Sequence, residues 1–558
     1  MKTLLAFVFA ASTTAFGAVQ ITSAEKAAAK TITADSLRAH IRFLASDLLE
    51  GRGPATRGDK LAEEYVSAQM ESFGLKPAGP NGSWFQSLDV IGVTGHPETL
   101  TVAKPAALQR LGEKLELAWS KDFIAAAGKQ NTQSALNSAE VVFVGYGIVA
   151  PEYQWDDYKG ADLKGKVLLM MNNDPDWDPN LFAGTTRLWY GRWDYKYESA
   201  ARTGALGAII IHTTTSAGYP WQVVQTSWSG ELFSLPYDGG PRLEVKAWAT
   251  EDASKRIAAF GGKDLDQLIK SAKSREFRPV PLGVVVSTSF RNEVQKKRTE
   301  NVIGVIQGSD PKLASQVVLY TAHHDHLGMR KGAKPGDDFI YNGAVDNASG
   351  TSALLTIARA FAALPKPPRR TMMFAAVAAE EQGLLGSEYL AKHPPVPPGA
   401  FAANINIDGI NIWGRTKDIS FIGLGKSNLD PIVKDLAAMQ HRVVQPDELP
   451  DRGFFYRSDQ FNLAKIGVPA AYFHPGLNVI GKPEGWGKKA REEWEATHYH
   501  QPSDELQDWW NFDGAVEDVQ LCFYLGAKVA NADKMPEWKK GDEFELARKR
   551  ALMTVGQR

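Results

Sequence analysis

The chain reads as an α/β protein: a three-layer αβα unit around a mostly parallel central sheet, carrying a smaller β-rich insert. Three observations predict this. From residue 300 onward, strand-like apolar runs alternate with helical patterns, as expected of parallel strands joined by crossover helices. Met372 to Ala379 is almost unbroken apolar sequence, which a strand buried on both faces requires. Between residue 137 and about 272 the texture changes to short strands punctuated by turns, so that stretch reads as a small unit of its own.

Taken in order, Lys2 and the mostly apolar stretch Leu4 to Ala18 have the pattern of an export signal, with cleavage after Gly17 or Ala24. That stretch is short for a membrane span, and no other approaches it, so an exported protein, periplasmic or secreted and without stable membrane insertion, is expected. Gln20 to Thr31 reads as a polar linker. Ser36 to Gly74 then predicts helix, break, helix. Phe43, Leu44 and Leu48 stripe the first helix, Leu61, Tyr65, Val66 and Met70 the second, and Glu50-Gly-Arg-Gly-Pro turns between them.

In the insert, the run starting at Val141, Val167 to Met171 and Ala208 to His212 are strand-like, and Glu198 to Thr203 is helical. Beyond it, strands are expected at Val302 to Ile306, Val317 to Ala322, Met372 to Ala379, Ala403 to Ile407 and Val468 to Phe473. Helices are expected at Ser349 to Leu364, Leu385 to Ala391, Leu429 to Met439 and Asp513 to Ala530. The expected division is a signal at 1–24, a discontinuous main unit at 34–136 and 273–535, the insert at 137–272 and a charged C-terminal tail at 536–558.

Composition limits the function classes. The 558 residues suffice for about three or four ordinary domains. A formal net charge of -1 gives no nucleic-acid footprint. The single cysteine, Cys522, permits no intrachain disulfide, so the fold depends on its core. Fifteen Trp and 25 Phe supply large cores and can line an aromatic cleft.

One spaced set of residues carries chemistry: His323, Asp325, Asp346, Glu380, Glu381, Asp408 and His500. His323, the Glu pair and Asp408 each follow a predicted strand, and open α/β sheets place their sites at the carboxyl ends of strands. Imidazole and carboxylate suit zinc, and two metals need a bridging carboxylate with terminal ligands on either side. Asp346, just before a helix, is a good bridge; alone it would read as a helix N-cap. Asp325 can accept the second N–H of His323 and orient its ring. His324 and His326 rank lower as ligands, because alternate residues of an extended strand face opposite ways. In the Glu380-Glu381 pair one carboxylate can bind metal and the other act as base, and spacing does not say which.

Asn301-Val-Ile-Gly-Val-Ile-Gln-Gly, Ala322-His-His-Asp-His-Leu-Gly, Gly343-Ala-Val-Asp-Asn-Ala-Ser-Gly, Ala379-Glu-Glu-Gln-Gly-Leu-Leu-Gly-Ser, Asn406-Ile-Asp-Gly, Arg457-Ser-Asp-Gln-Phe and Tyr499-His-Gln-Pro-Ser-Asp together resemble the di-zinc aminopeptidases of metallopeptidase family twenty-eight. The likeness runs from about 34 to 530, and 137–272 resembles the protease-associated domain often inserted in that family. The resemblance implies two zinc ions per chain. His323 and Asp408 are then the terminal ligands of one, Glu381 and His500 of the other, and Asp346 bridges. It makes Glu380 the general base, Tyr499 a donor to the developing oxyanion and Asp325 the residue orienting His323. It also allows a cis peptide after Asp346. Gln460 departs from the pattern, standing where many relatives have His.

The resulting expectation is an exported aminopeptidase acting on peptides with a free N-terminus. Trp413 and Arg457 are candidate substrate-binding residues, Trp486 is a further pocket candidate, and Phe454 to Arg457 and Gly476 to Thr497 read as loops near Asp408 and His500. The alternatives are a carboxypeptidase or dipeptidase, for which Arg452 or Arg457 could capture a carboxylate, a glutaminyl cyclase, and a noncatalytic binding protein. Trp177, Trp189, Trp193 and Tyr195 suggest a partial lid over the cleft. Asp174-x-Asp-x-Asp resembles a calcium loop only in part.

Overall fold

A computed structural model describes residues 20–105, 113–330, 334 and 336–556. The export signal expected at 1–24 therefore lies almost wholly outside the described residues.

The central sheet is built on four parallel strands, in the order Thr371–Val377, Val317–His323, Phe401–Asn406, Ala470–Pro475. Antiparallel strands flank them, Val280–Ile306 beside Thr371–Val377 and Asp418–Ile422 beside Ala470–Pro475. Every residue of Val317–His323 and Thr371–Val377 is buried. Period-2 alternation then divides each strand between two cores. Val318, Tyr320, Phe374 and Ala376 face one layer, packed against Ala34–Leu44, Gly350–Ala362 and Asp513–Asn531. Val317, Leu319, Met373 and Val377 face the other, against Leu385–Lys392 and Gln460–Lys465. Each buried Val, Leu, Met or Phe side chain among these contributes about 1.5–3 kcal/mol by leaving water. The fold class expected from sequence is the one found.

A second core, including Phe123, Phe143, Leu169, Ile209, Ala247 and Phe290, fills another group of strands. Its pairing runs wider than 137–272. Thr99–Ala103, Lys114–Ala118 and Phe123–Ala127 join it, as does the first part of Val280–Ile306. These strands are short and find partners far away in sequence, so local pattern did not place them. Val280–Ile306 pairs with Gln133–Phe143 at its start, with Phe85–Gly95 in its middle and with Thr371–Val377 at its end.

Three other expectations change. The linker at 20–31 contains the helix Ser23–Ala29, held by a capping box between Thr22 and Glu25 and by Lys528 reaching Glu25 at 2.8 Å. A boundary after Ala24 would fall inside that helix. The stretch from Gly476 to Thr497, read as loop, ends in the helix Trp486–Thr497. The tail at 536–558 contains the helix Glu545–Gly556, whose buried Arg548 donates to the carbonyl of Phe401 at 2.8 Å. Among the described residues no helix is long and apolar enough to cross a membrane.

Candidate metal centre and its cleft

Strand ends deliver the centre. His323 closes its strand, Glu380 and Glu381 follow Thr371–Val377, and Asp408 follows Phe401–Asn406. Asp346 precedes Gly350–Ala362, after Gly343 at φ 55°. The Asp346-Asn347 peptide is cis, as the resemblance allowed. Asn347 ties this turn to the Asp408 loop: its Oδ1 accepts from Gly350 N and from Gly409 N at 2.9 Å each. Asp504 accepts the N–H groups of Val345 and Asp346, at 2.9 and 3.1 Å.

The expected ligands converge. His323 Nε2 lies 3.3 Å from Asp346 Oδ1, 3.3 Å from Asp408 Oδ1 and 4.0 Å from Glu380 Oε2. His500 Nε2 lies 3.0 Å from Glu381 Oε2 and 3.2 Å from Asp346 Oδ2. Asp346 thus turns one oxygen to each imidazole, with a second carboxylate on either side. Ala379 and His500 hold left-handed backbone, φ 52° and 56°, a cost of about 1–2 kcal/mol each at the turns that aim this cluster.

The residues fit divalent cations. His500 Nε2 is buried and crowded by two carboxylates, yet hydrogen-bonded to neither. Four carboxylates share a buried space with few positive groups. Burial, with Asp408 and Glu381 beside it, pushes Glu380 well above the usual carboxylate range. Burial opposes charge on His500, but Glu381 and Asp346 outweigh it and push the imidazole up to about 10. Burial opposes the carboxylate of Glu381 as well, yet His500 and His326 draw it down to about 2. The centre is short of positive charge, and His323, Asp346 and Asp408 stand as close as ligands of one ion do.

Several contacts differ from the sequence reading. His324 points away, to Asp59 Oδ1 at 3.1 Å, as strand alternation required. His326 does not: its Nδ1 lies 2.6 Å from Glu381 Oε1, and its Nε2 is buried without a partner. The strand ends at His323, so alternation no longer governs residue 326. The carboxylate of Asp325 stands 3.7 Å from His323 Nδ1, too far for a hydrogen bond. It accepts instead the backbone N–H of Glu380 at 3.1 Å and of Glu381 at 3.4 Å, while Nδ1 faces its carbonyl at 3.3 Å. Gln460 is buried between Asn406 and the carbonyl of Phe455, at 2.8 Å each, and braces a strand end rather than shaping the pocket.

One contact had no signal in the sequence. Ser227, last residue of the helix Trp221–Ser227 in the expected insert, places Oγ 2.8 Å from His500 Nδ1. Of the aromatics expected to form a lid, Trp193 borders the cleft, Trp189 packs on Phe461 at 4.8 Å, Tyr195 is buried and Trp177 is exposed. Asp174 accepts from Leu188 N at 2.8 Å, tying together chain fourteen positions apart, and Asp178 accepts from Asn180 N at 2.9 Å within its own turn.

Two cavities meet at the centre. An inner one of about 280 Å³ is bounded by Asp346, Glu380 and Asp408 and lined by Trp413, Tyr472 and Arg457, among others. Trp486 is not among its lining residues; it lies under Lys482 at the start of its helix. The other cavity, about 190 Å³, runs from Glu381 and His500 past Trp193 and Phe233 to Lys129. Tyr499 borders both and stacks on His500 at 3.9 Å.

Residues 301–522 match the family described as Peptidase family M28. Over 293 residues the chain is 36% identical to "Probable glutamate carboxypeptidase AMP1" of Arabidopsis thaliana, covering 48% of this chain and 37% of that protein. Over 173 residues it is 30% identical to "Aminopeptidase NAALADL1" of Rattus norvegicus, covering 28% and 21%. The matched segments thus span well under half of these curated relatives. The solved aminopeptidase from Aneurinibacillus sp. strain AM-1 is 19% identical and covers 91% of this chain and 96% of its own, with a TM-score of 0.51; this likeness is one of fold.

Proposed function

We propose, from the match of residues 301–522 to peptidase family M28, that the chain is a zinc-dependent exopeptidase that releases the N-terminal residue of peptides. The observation that carries this reading is the place of Asp346, one oxygen toward the His323–Asp408 pair and the other toward the His500–Glu381 pair. His323 and Asp408 would hold one zinc, His500 and Glu381 a second, and Asp346 both. Zinc bound there supplies Lewis acidity that polarises the scissile carbonyl and makes water acidic.

The remaining chemistry belongs to the chain. Glu380 stands 4.0 Å from His323 Nε2, farther than Asp346 and Asp408 at 3.3 Å each, and in this reading it is the carboxylate left free of metal. It takes the proton of the attacking water and returns it to the departing amine. The Tyr499 hydroxyl donates to the developing oxyanion. Asp325 fixes the turn that aims Glu380 and Glu381, and His326 and Ser227 fix the far side of the second pair. The substrate's α-amine is held among the carboxylates at the inner cavity's mouth. In this reading 137–272 is a protease-associated insert, and the protein is exported.

The test is cleavage of a panel of aminoacyl p-nitroanilides beside N-acetylated and C-amidated peptides, with and without chelator. Chelator-sensitive cleavage that needs a free amine and no free carboxylate is expected. Cleavage that needs the carboxylate would replace this reading with dipeptidase action or with carboxypeptidase action, the latter being what the Arabidopsis relative's name carries.

A further inference from the structure

Three arginines line the inner cavity, and they are not equivalent. Arg452 and Arg491 both engage Glu495, and Arg491 also donates to His474 Nδ1 at 2.9 Å. Among the described residues no carboxylate answers Arg457. Its guanidinium stands over the rings of Phe454 and Tyr219, 5.1 and 5.4 Å from their centroids. Its one side-chain hydrogen bond there is a long one, 3.5 Å, to the Tyr499 hydroxyl. Guanidinium carries five N–H donors in a fixed fork. With two rings beside it and one long hydrogen bond, the fork keeps donors to meet a planar carboxylate in two parallel hydrogen bonds.

We propose that the inner cavity takes the side chain of an N-terminal aspartate or glutamate, whose carboxylate pairs with Arg457. This rests on the aminopeptidase reading and names its substrate class. The other cavity, which Arg457 also borders, runs past Phe233 to Lys129 and leaves room for the rest of the peptide. The residue before the scissile bond is then left facing Asp408 and the inner cavity. Trp413, Ile410 and Tyr472 wall the path its methylenes would follow. Of the acidic groups facing that space, Asp346, Glu380 and Asp408 belong to the centre, Asp504 accepts the N–H groups of Val345 and Asp346, Glu495 is neutralised by two arginines, and Glu492 is exposed to solvent.

The experiment compares kcat/KM of the zinc-loaded full chain for matched aminoacyl amides: Glu against Gln, Asp against Asn, with Leu and Ala as neutral references. It is repeated on R457Q and R457K. Arg457 also touches Tyr499, so all rates can shift together, and the Glu-to-Gln ratio is the readout. A charge-assisted pair predicts a ratio of at least about ten in the wild type, collapse toward one in R457Q, and partial retention in R457K. A wild-type ratio near one, or a ratio unchanged in R457Q, overturns the proposal. Cleavage of Leu and Ala substrates without acidic preference defeats this inference alone. Cleavage only of peptides with a free C-terminal carboxylate defeats it together with the aminopeptidase reading. Should no substrate turn over, calorimetry of free glutamate against free glutamine decides: Arg457-dependent preference for glutamate supports the assignment, and equal binding refutes it.

Discussion

Ser227→Ala removes one hydroxyl from a helix outside the main sheet, and it should loosen zinc. For His500 to present Nε2 to a cation, Nδ1 must carry the proton and donate to Ser227 Oγ, across the observed 2.8 Å. Deleting the acceptor leaves a half-buried N–H with no partner, a cost of about 1–2 kcal/mol, or roughly 5- to 30-fold in affinity at the His500–Glu381 half. The His323–Asp408 half has no contact with Ser227 and should bind as before. Zinc titration against a competing chelator, read as two steps, measures this, and Ser227→Thr, which restores a hydroxyl, should recover most of the loss. The competing explanation is that stacking of Tyr499 on His500, at 3.9 Å, fixes the ring by itself. Equal affinities of both steps in wild type and S227A, within twofold, would establish that explanation and refute the reasoning.

Glu380→Gln should lower kcat by about 10²- to 10⁴-fold with zinc content unchanged, and metal analysis beside single-turnover rates checks both; activity above a tenth of wild type contradicts the assignment. Chelation should lower the melting temperature, because the carboxylates then repel without a cation. Restoring free zinc to about a thousand times its Kd should return about 4 kcal/mol, whereas identical melting with and without zinc would remove the centre. His40, whose Nδ1 lies 2.8 Å from the Tyr65 hydroxyl, is pulled down to about 4 by burial and then by Arg359. The unfolded chain, with its ordinary imidazole, binds more protons between about 4 and 6.5. Stability should therefore be complete above pH 6.5 and fall by up to about 3 kcal/mol as pH drops to about 4. H40N should flatten that part of the urea-denaturation profile, and an unchanged slope would contradict it. Arg52→Met should cost at least about 3 kcal/mol, because the buried guanidinium donates to the carbonyls of Leu44, Asn342, Gly343 and His324; a urea midpoint near wild type would count against this role.

Much of the centre was legible because His323, the Glu pair and Asp408 each follow a strand that announces itself, whereas His500 follows the helix Trp486–Thr497. Phe374-Ala-Ala-Val ahead of the Glu pair is such a case: an apolar run this long must be buried, so charges at its end must have partners. Asp346 was legible only jointly, since an aspartate before a helix is ordinary on its own. What escaped was contact between elements distant in sequence. Ser227 reaches His500 across 273 positions, and Arg52 reaches His324 across 272. No period or spacing encodes such pairs. His326 escaped for a different reason, a strand rule carried past the strand's end. Trp486–Thr497 and Glu545–Gly556 escaped because highly charged sequence hides a helical stripe.

The strand Val280–Ile306 has a mechanical consequence. It is 27 residues long and enters both sheets without a break, while Phe85–Gly95 runs beside its middle. A flap needs a hinge, a few residues free to change φ and ψ. Here the connection is a doubled beam of backbone hydrogen bonds, and swinging the insert away would mean unzipping them. Tyr219 and Ser227 are therefore fixed masonry of the cleft, present before substrate arrives. On the proposed peptidase reading, selection would then operate at the doorway, by size and charge, with no swinging gate to wait on.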